Sequence, residues 1–390
     1  MPRPITCIAD LQALARRRVP RMFYDYADSG SWTEDTYRAN EDDFRKIKLR
    51  QRVAVDMRDR TLASTMVGLP VSMPVALAPT GLTGMQHADG EILAARAAAK
   101  AGVPFTLSTM SICSIEDVAE NTDAPFWFQL YVMRDQEFSN SLIDRAKAAG
   151  CSALVLTLDL QILGQRHKDI KNGLTTPPAP TLANILNLAT KPRWVYHMAR
   201  TNRRTFRNIV GHAKGADNLR SLSKWTAEQF DPALDWDAVK RIKDRWGGKL
   251  IIKGILDPED AAIAAKSGAD ALIVSNHGGR QLDGAISSIA ALPQIVREVG
   301  DRIEVHMDGG VRSGQDVLKA RALGARGVYI GRAFLYGLGA MGEHGVSEAL
   351  RCIRNELDLT MAFCGLRDIE KVDGKIIAAN PFAVPARKKA

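Results

Sequence analysis

Short apolar runs recur along this chain, separated by segments with the periodicity of amphipathic helices. Apolar runs without polar alternation, bounded by turn signals, are typical of strands buried on both faces of a parallel sheet. Eight such runs are predicted as strands: 75–79, 105–109, 126–131, 153–159, 250–254, 271–276, 303–308 and 327–331. The helical pattern is clearest over 90–101, 140–149, 258–266, 289–299 and 314–323.

The order of these elements predicts an α/β fold. Strand and helix alternate with a repeat of roughly 20–30 residues, which is the pattern of βαβ units. Eight such units favour a closed (β/α)8 TIM barrel, with a doubly wound open sheet as the structural alternative. We expect residues 1–390 to form a single barrel domain.

Two segments depart from this repeat. Residues 1–70 are predicted to be an N-terminal helical extension that covers the closed end or one edge of the barrel. The connection after the fourth strand, 165–245, is an insertion far longer than a barrel needs, and such loops are usually functional or disordered. One helix in it would carry an apolar face of Leu182, Ile185, Leu186 and Ala189.

Composition and charge narrow the function classes. The 390 residues are 46% hydrophobic and 25% charged, which is ordinary globular composition. Nearly all of the net charge of +9 lies between residues 191 and 224, a stretch that contains nine Lys/Arg and one acidic residue. The sequence has no long apolar run and no signal-peptide pattern, so we expect a cytoplasmic protein. Five scattered cysteines predict reduced, mostly buried thiols, and no metal site is expected.

Polar residues at the ends of the predicted strands indicate where the chemistry lies, because functional side chains of this fold sit at the carboxyl ends of strands. Asp308-Gly309-Gly310 and Gly331-Arg332 each precede a helix, which predicts a phosphate-binding cradle at the seventh and eighth strands. Arg312 and Arg332 would add charge-assisted hydrogen bonds. Neither GxGxxG nor GxxxxGK[ST] occurs, so a nicotinamide Rossmann site or a P-loop is not expected.

Four motifs in order carry a family resemblance: Ala-Pro-Thr-Gly from Ala78, Phe-Gln-Leu-Tyr from Phe128, Ser-Asn-His-Gly-Gly-Arg-Gln-Leu-Asp from Ser275, and Asp-Gly-Gly-Val-Arg from Asp308. Together they resemble the FMN-dependent 2-hydroxy-acid dehydrogenase/oxidase family, over nearly the whole chain. The resemblance implies an FMN cofactor and the removal of hydride from the α-carbon of a small 2-hydroxy acid.

The resemblance also implies roles for six residues near the substrate. His277 would be the base that takes a proton, with Asp159 paired to its other ring nitrogen. Arg166, Arg280 and Tyr26 would bind the carboxylate of the substrate. Tyr131 would contact its hydroxyl group. Met110 and Leu163 are expected to line a pocket for a small or medium alkyl side chain. Around Arg166 the sequence departs from that of plant glycolate oxidases.

The cofactor residues follow from the same resemblance. Lys253 would lie beside the flavin ring and stabilise the negative charge of its reduced form. The full cofactor-binding set is predicted as Ala78, Pro79, Thr80, Ser108, Gln129, Thr157, Lys253, Ser275, Asp308, Gly309, Gly310, Arg312, Gly331 and Arg332.

Gly81 bears on the electron acceptor. Oxidases of the family more often carry Ala after Ala-Pro-Thr, so Gly81 favours a bacterial L-lactate dehydrogenase type that passes electrons to a quinone or a cytochrome. A soluble oxidase that reduces O₂ to H₂O₂ is the alternative. A non-catalytic flavoprotein would require a damaged acid–base set, and His277, Asp159, Arg280 and Lys253 are all present.

The basic stretch suggests a location. Residues 182–224 interleave Trp194, Tyr196, Met198 and Phe206 with basic side chains, which suits peripheral contact with the cytoplasmic face of the inner membrane. A solvated loop is the alternative. Charge alone would allow nucleic-acid binding, but the sequence has no recognition motif for it, and none is expected. The resemblance implies a homotetramer.

Overall fold

The computed structural model describes residues 4–174, 181–212 and 229–385. At the centre of the fold is a sheet of eight parallel strands, in which most residues are buried and apolar, as predicted from the sequence. The strands are β1 (Val75–Leu77), β2 (Thr106–Ser108), β3 (Trp127–Leu130), β4 (Ala153–Thr157), β5 (Lys249–Ile255), β6 (Ala271–Val274), β7 (Glu304–Met307) and β8 (Gly327–Ile330). All eight predicted strands are therefore present; seven are shorter than predicted by one or two residues at an end, and β5 is longer by one residue at each end.

The sheet closes into a barrel. Neighbouring strands pair in chain order from β2 to β8, and β8 pairs in turn with β1 through Val328 and Val75. A bridge between Leu77 and Phe105 joins β1 to β2 and completes the circle. The (β/α)8 barrel is confirmed, and the open-sheet alternative is excluded.

Helices cover the outside of the barrel and part of its open end. They are α1 (Ile8–Arg18), α2 (Arg21–Ala27), α3 (Asp35–Lys46), α4 (Gly90–Ala101), α5 (Ile115–Ala119), α6 (Gln136–Ala148), α7 (His167–Lys171), α8 (Leu182–Ala189), α9 (Pro192–Arg200), α10 (Trp236–Trp246), α11 (Pro258–Lys266), α12 (Ser288–Val299), α13 (Gly314–Ala322), α14 (Arg332–Met341) and α15 (Glu343–Phe363). The predicted helices at 90–101 and 258–266 have the predicted bounds.

The N-terminal extension differs from its prediction. Within the described part of the extension, residues 4–70, the helices are confined to 8–46, and α2 and α3 lie at the open end of the barrel, where Tyr26 and Tyr37 approach the strand-end loops. The closed end is covered instead by a hairpin, Ser64–Met66 with Leu69–Val71, which turns at Val67-Gly68 with positive φ at both residues. The buried Met66 of this hairpin packs among side chains of the barrel interior.

Two features of the barrel matter below. Its interior holds bulky rings, Trp127 and Tyr329, and a fully buried His306 whose Nδ1 lies 3.2 Å from the Tyr329 hydroxyl. At the open end, the buried carboxylate of Glu91 accepts hydrogen bonds from the backbone N–H groups of Gly84 and Ile112, both at 2.9 Å. Glu91 therefore ties the loop after β1 to the loop after β2.

The insertion is anchored to the barrel. Asn208, fully buried, donates to Ser111 Oγ at 2.9 Å and to the carbonyl oxygens of Ser108 and Thr109, both at 3.3 Å. The predicted amphipathic helix is present as α8, followed by α9. Residues 213–224 of the predicted membrane segment lie outside the described residues. Among the helices of the described ranges, none is long and apolar enough to cross a bilayer.

Candidate active site

A cavity of about 530 Å³ opens at the carboxyl ends of the strands, between these ends, α2 and the insertion. Fifteen predicted residues line it: Tyr26, Ala78, Pro79, Thr80, Tyr131, Arg166, Lys253, His277, Arg280, Asp308, Gly309, Gly310, Arg312, Gly331 and Arg332. Met110 and Leu163 line it as well. The other five predicted residues are not part of this lining: Ser108, Gln129, Thr157, Asp159 and Ser275. Asp159 and Ser275 bond the lining residues His277 and Lys253. The structure thus brings the strand-end residues together at one site.

His277 is held in a fixed orientation at the end of β6. Its backbone has φ of +58°, a left-handed conformation stabilised by the hydrogen bond from its N–H to Ser275 Oγ at 3.1 Å. Its ring Nδ1 lies 2.8 Å from Asp159 Oδ1, and its Nε2 lies 3.4 Å from the Tyr131 hydroxyl. Burial lowers the pKa of His277, and the Asp159 carboxylate offsets this only in part. A neutral imidazole with Nε2 toward the cavity is suited to accept a proton.

Asp159 remains ionised beneath this ring. Burial alone would raise the pKa of Asp159, but the nearby His277 and Lys253 hold it below its ordinary value. Its Oδ2 atom is buried without a hydrogen-bond partner among the described residues. The carboxylate is therefore directed at the imidazole, where it would stabilise a positive charge.

Two guanidinium groups that line the cavity lie close to one tyrosine ring. Arg280 lies over the Tyr26 ring at 4.6 Å, and Arg166 lies 5.8 Å from the same ring centre. Arg280 is held by the Tyr26 carbonyl oxygen at 2.5 Å, and Arg166 by Asp169 at 2.6 Å. Burial, together with the charge of Arg166, lowers the pKa of Arg280 to about 10. Both groups stay cationic at neutral pH and can bind a carboxylate.

Lys253 is a buried ammonium in β5, two residues before the carboxyl end of the strand. It donates to Ser275 Oγ at 2.9 Å and lies 3.2 Å from Asp308 Oδ2. Burial opposes the charged form, but attraction to Asp308 and Asp159 raises the pKa of Lys253. The group is a fixed positive charge beside the cavity, as expected for a residue that stabilises an anion.

The predicted phosphate cradle is built from backbone as much as from side chains. Gly309 and Gly310 have φ of +96° and +79°, and a Cβ on Gly310 would lie 1.9 Å from the Asn40 carbonyl oxygen. No other residue type fits this position. Arg332 already donates to three carbonyl oxygens, of Ala27 and Gly278 at 2.9 Å and of Ser29 at 2.7 Å. These three hydrogen bonds leave two of the five guanidinium N–H groups of Arg332 for a ligand.

Several residues of the site escaped the sequence prediction. Phe230 packs edge-on against Tyr131 at 5.6 Å, so Tyr131 lies between this ring and the His277 ring. Phe230 lies in the insertion and no local pattern marks it. An apolar wall also lines the cavity on the side of α2 and the insertion: Met22, Phe23, Met85, Ile112 and Phe206. The sequence alone did not show that Phe23 and Phe206, which are far apart along the chain, line the same cavity.

A (β/α)8 barrel whose strand ends carry a glycine-rich turn and a buried His–Asp pair is suited to bind a phosphorylated ligand and to move a proton beside it. The model of the family described as FMN-dependent dehydrogenase matches residues 15–379. The chain belongs to this FMN-dependent dehydrogenase family, and FMN is its cofactor.

Individual relatives agree with this membership. The chain is 47% identical over 375 residues to an L-lactate dehydrogenase of Caulobacter vibrioides (strain NA1000 / CB15N), covering 96% of this chain and 98% of the relative. The crystal structure of the monotopic membrane protein (S)-mandelate dehydrogenase matches with a TM-score of 0.92 and 37% identity, over 97% of this chain and 100% of that one. A mandelate oxidase crystallised with (S)-2-phenylpropionate matches with a TM-score of 0.80 and 34% identity, over 95% and 97%.

The residues present fit FMN. Gln129 Nε2 and Thr157 Oγ1 are buried at the open end of the barrel without a hydrogen-bond partner among the described residues. Ser108 Oγ donates to Gln129 Oε1 at 3.0 Å, which leaves the amide nitrogen free to donate. Buried polar atoms of this kind require a partner, and the polar edge of a flavin would supply it.

Proposed function

We propose that this protein oxidises L-lactate to the 2-oxo acid and passes the electrons to a quinone or cytochrome. The observation that carries the proposal is the His277–Asp159 pair, which faces the same cavity as the guanidinium groups of Arg166 and Arg280. The L-lactate dehydrogenase relative supports the choice of substrate. The small residue Gly81 and the side chain of Met110 bound a pocket that suits a short alkyl group.

Substrate binding rests on charge and orientation. The two guanidinium groups and the Tyr26 hydroxyl would hold the carboxylate, since planar N–H pairs match two carboxylate oxygens. Because Arg280 and Arg166 are fixed by the Tyr26 carbonyl oxygen and by Asp169, they lose little freedom on binding. The carboxylate would thereby present the substrate hydroxyl to His277 and Tyr131.

Oxidation of the alcohol removes one proton and one hydrogen with its electron pair. Bound FMN supplies the two-electron acceptor that protein side chains lack. His277 Nε2 would take the hydroxyl proton, and the Tyr131 hydroxyl, 3.4 Å from this nitrogen, would orient the substrate oxygen. Asp159 would stabilise the imidazolium that results, at 2.8 Å from Nδ1.

The cofactor would be held along one side of the cavity. Ala78, Pro79 and Thr80 would contact the flavin ring, and Ser108, Gln129, Thr157 and Ser275 its polar edge, with the Lys253 ammonium near the anionic part. Asp308, Gly309, Gly310, Arg312, Gly331 and Arg332 would hold the ribityl chain and phosphate. Of these residues, all but Ser108, Gln129, Thr157 and Ser275 line the cavity, which supports the proposed placement of the cofactor.

The direct test is anaerobic bleaching of the FMN-loaded protein by L-lactate, with D-lactate, glycolate and L-mandelate in parallel. We expect L-lactate to bleach the flavin fastest and D-lactate not at all. A His277→Asn variant with full FMN content should lose bleaching. Faster bleaching by L-mandelate or glycolate would refute the assignment of L-lactate as the substrate. Bleaching of the His277→Asn variant at the wild-type rate would refute the assignment of His277 as the base.

The electron acceptor is tested by reoxidation. The apolar wall defined above, with Phe23 stacked on Trp194 of α9 at 5.4 Å, favours a quinone that enters from the side of α9. A short-chain ubiquinone should recolour the lactate-bleached protein faster than air does, and Phe23→Ala should slow this step but not bleaching. Phe363→Ala, exposed on α15, is the matched control. Fast recolouring in air with H₂O₂ would make the protein an oxidase.

We also propose that the insertion contacts the cytoplasmic face of the inner membrane. On α8, Leu182, Ile185 and Leu186 are 72%, 58% and 62% exposed, and α9 exposes Tyr196 beside basic residues. Apolar side chains next to cations suit an anionic lipid surface. The similarity to a monotopic membrane protein supports this. The basic residues of 213–224 lie outside the described ranges and would add to the attraction.

Vesicle binding tests the membrane contact. Ile185→Glu with Leu186→Glu should abolish sedimentation with phosphatidylglycerol vesicles, whereas Leu359→Glu, at an exposed position on α15, should not. Equal sedimentation of both variants would refute the surface. The proposed homotetramer, which rests on the family resemblance, is tested by light scattering in detergent, where a monomer would refute it.

A further inference from the structure

Asp28, at the end of α2, holds the hydroxyl groups of three tyrosines. Its carboxylate accepts hydrogen bonds from Tyr24 at 2.9 Å, from Tyr37 at 2.8 Å and from Tyr336 at 2.6 Å. Burial alone would raise the pKa of Asp28, but these donors and the charge of Arg332 hold it below its ordinary value. The cluster therefore contains one carboxylate anion surrounded by aromatic hydroxyls from α2, α3 and α14.

Two of these tyrosine rings carry the arginines of the phosphate cradle. The Arg332 guanidinium lies over the Tyr37 ring at 4.5 Å, and the Arg312 guanidinium lies 5.8 Å from the centre of the Tyr336 ring. A cation over an aromatic face is attracted by it, so the ring fixes where the cation lies. Asp28 fixes the rings in turn, through their hydroxyl groups.

The backbone around Asp28 makes the same connection. Arg332 donates to the carbonyl oxygens of Ala27 and Ser29, at 2.9 and 2.7 Å. Arg280 donates to the carbonyl oxygens of Tyr26 and Ser29, at 2.5 and 3.3 Å. Residues 26–29 thus support a guanidinium on the phosphate side and another on the substrate side of the cavity.

We propose that Asp28 is a positioning residue that sets the two phosphate-facing guanidinium groups through the rings of Tyr37 and Tyr336. The inference rests on the proposed assignment of Arg312 and Arg332 to the FMN phosphate. It predicts that Asp28 affects recognition of the phosphate group specifically, since Asp28 reaches the cofactor site through these arginines. A carboxylate that only stabilised the fold would affect all flavins equally.

Riboflavin, which lacks the phosphate, separates the two cases. The FMN-free protein would be titrated with FMN and with riboflavin, following the quenching of flavin fluorescence. We expect Asp28→Asn to weaken FMN binding about tenfold, the scale of one or two misplaced cation–π contacts, and riboflavin binding by less than about twofold. Tyr37→Phe and Tyr336→Phe, which keep the rings but lose the hydroxyls, should show smaller losses in the same direction.

Asp25→Asn is the matched control, because Asp25 lies on the same helix and bonds Asn172 and Arg21 rather than the cluster. It should leave both affinities unchanged. Equal weakening of FMN and riboflavin by Asp28→Asn, or no change in either, would overturn the proposal. If Asp28→Asn does not fold, the two phenylalanine variants decide by the same criterion. A wild-type protein that binds riboflavin as tightly as FMN would instead refute the phosphate site itself.

Discussion

Replacing Asp159 with asparagine removes one charge from beneath His277 and leaves the shape of the site nearly unchanged. In the resting site the imidazole is neutral, so the charge matters most once the ring has taken a proton. The bonded atoms are 2.8 Å apart, and since both charges are shared over two atoms, their centres lie about 4 Å apart. At an effective dielectric constant of about 20, the attraction is about 4 kcal/mol. This corresponds to a roughly thousandfold slower oxidation.

Stopped-flow bleaching by saturating L-lactate under anaerobic conditions measures this step. Asp159→Asn should lower the limiting rate constant about a thousandfold with little change in the substrate dissociation constant. Asp169→Asn is the contrasting variant, since Asp169 is bonded to the substrate-side Arg166 and its loss should weaken substrate binding more than it lowers the rate. FMN content and melting temperature confirm that both variants fold. A limiting rate within tenfold of the wild type would refute the proposed role of Asp159.

Three further predictions concern the same cavity. Burial lowers the pKa of His277, and the base must be neutral to accept a proton. In a pH profile with L-lactate, kcat/KM should therefore fall on acidification only below the ordinary histidine pKa of about 6.5. A fall in kcat/KM that begins at higher pH would contradict this. Phe230→Leu removes the edge-on contact to Tyr131 and should lower kcat about 3- to 10-fold in steady-state assays. An unchanged kcat would show that Phe230 does not help to position Tyr131. Gly81→Ala would place a methyl group 3.2 Å from the Tyr26 hydroxyl and 3.3 Å from Met110 Cβ, so KM for L-lactate should rise about tenfold. An unaltered KM would show that Tyr26 and Met110 move aside and that Gly81 does not limit the substrate pocket.

Local sequence patterns predicted the elements that depend on local physics. Helix α4 has the predicted bounds because an apolar face and a left-handed Gly102 define it within twelve residues. Helix α6 begins four residues before its prediction, since Asp135 caps it by accepting from the Phe138 N–H at 2.9 Å. The hairpin over 64–71 was not expected, because residues 1–70 were predicted to be helical; Pro70 is tolerated in it because the hairpin has only two strands.

The site followed the same division. Lys253, His277 and Asp308 were predictable because each lies within three residues of the carboxyl end of a barrel strand, and the fold alone brings strand ends together. Phe230 and Asp28 were not, since Phe230 contacts Tyr131 about a hundred positions away and Asp28 bonds Tyr336 across most of the chain, so no local pattern records these contacts. The position of the helical extension was mispredicted for the same reason.

The closure between β1 and β2 has a consequence for motion. A single bridge, Leu77 with Phe105, joins these strands, so the seam should open at lower free energy than the longer ladders elsewhere. Glu91 spans this seam on its outer side, through the N–H groups of Gly84 and Ile112. These two amide hydrogens therefore act as built-in reporters of seam opening, and their exchange with deuterium would reveal how often the loops beside the substrate pocket separate.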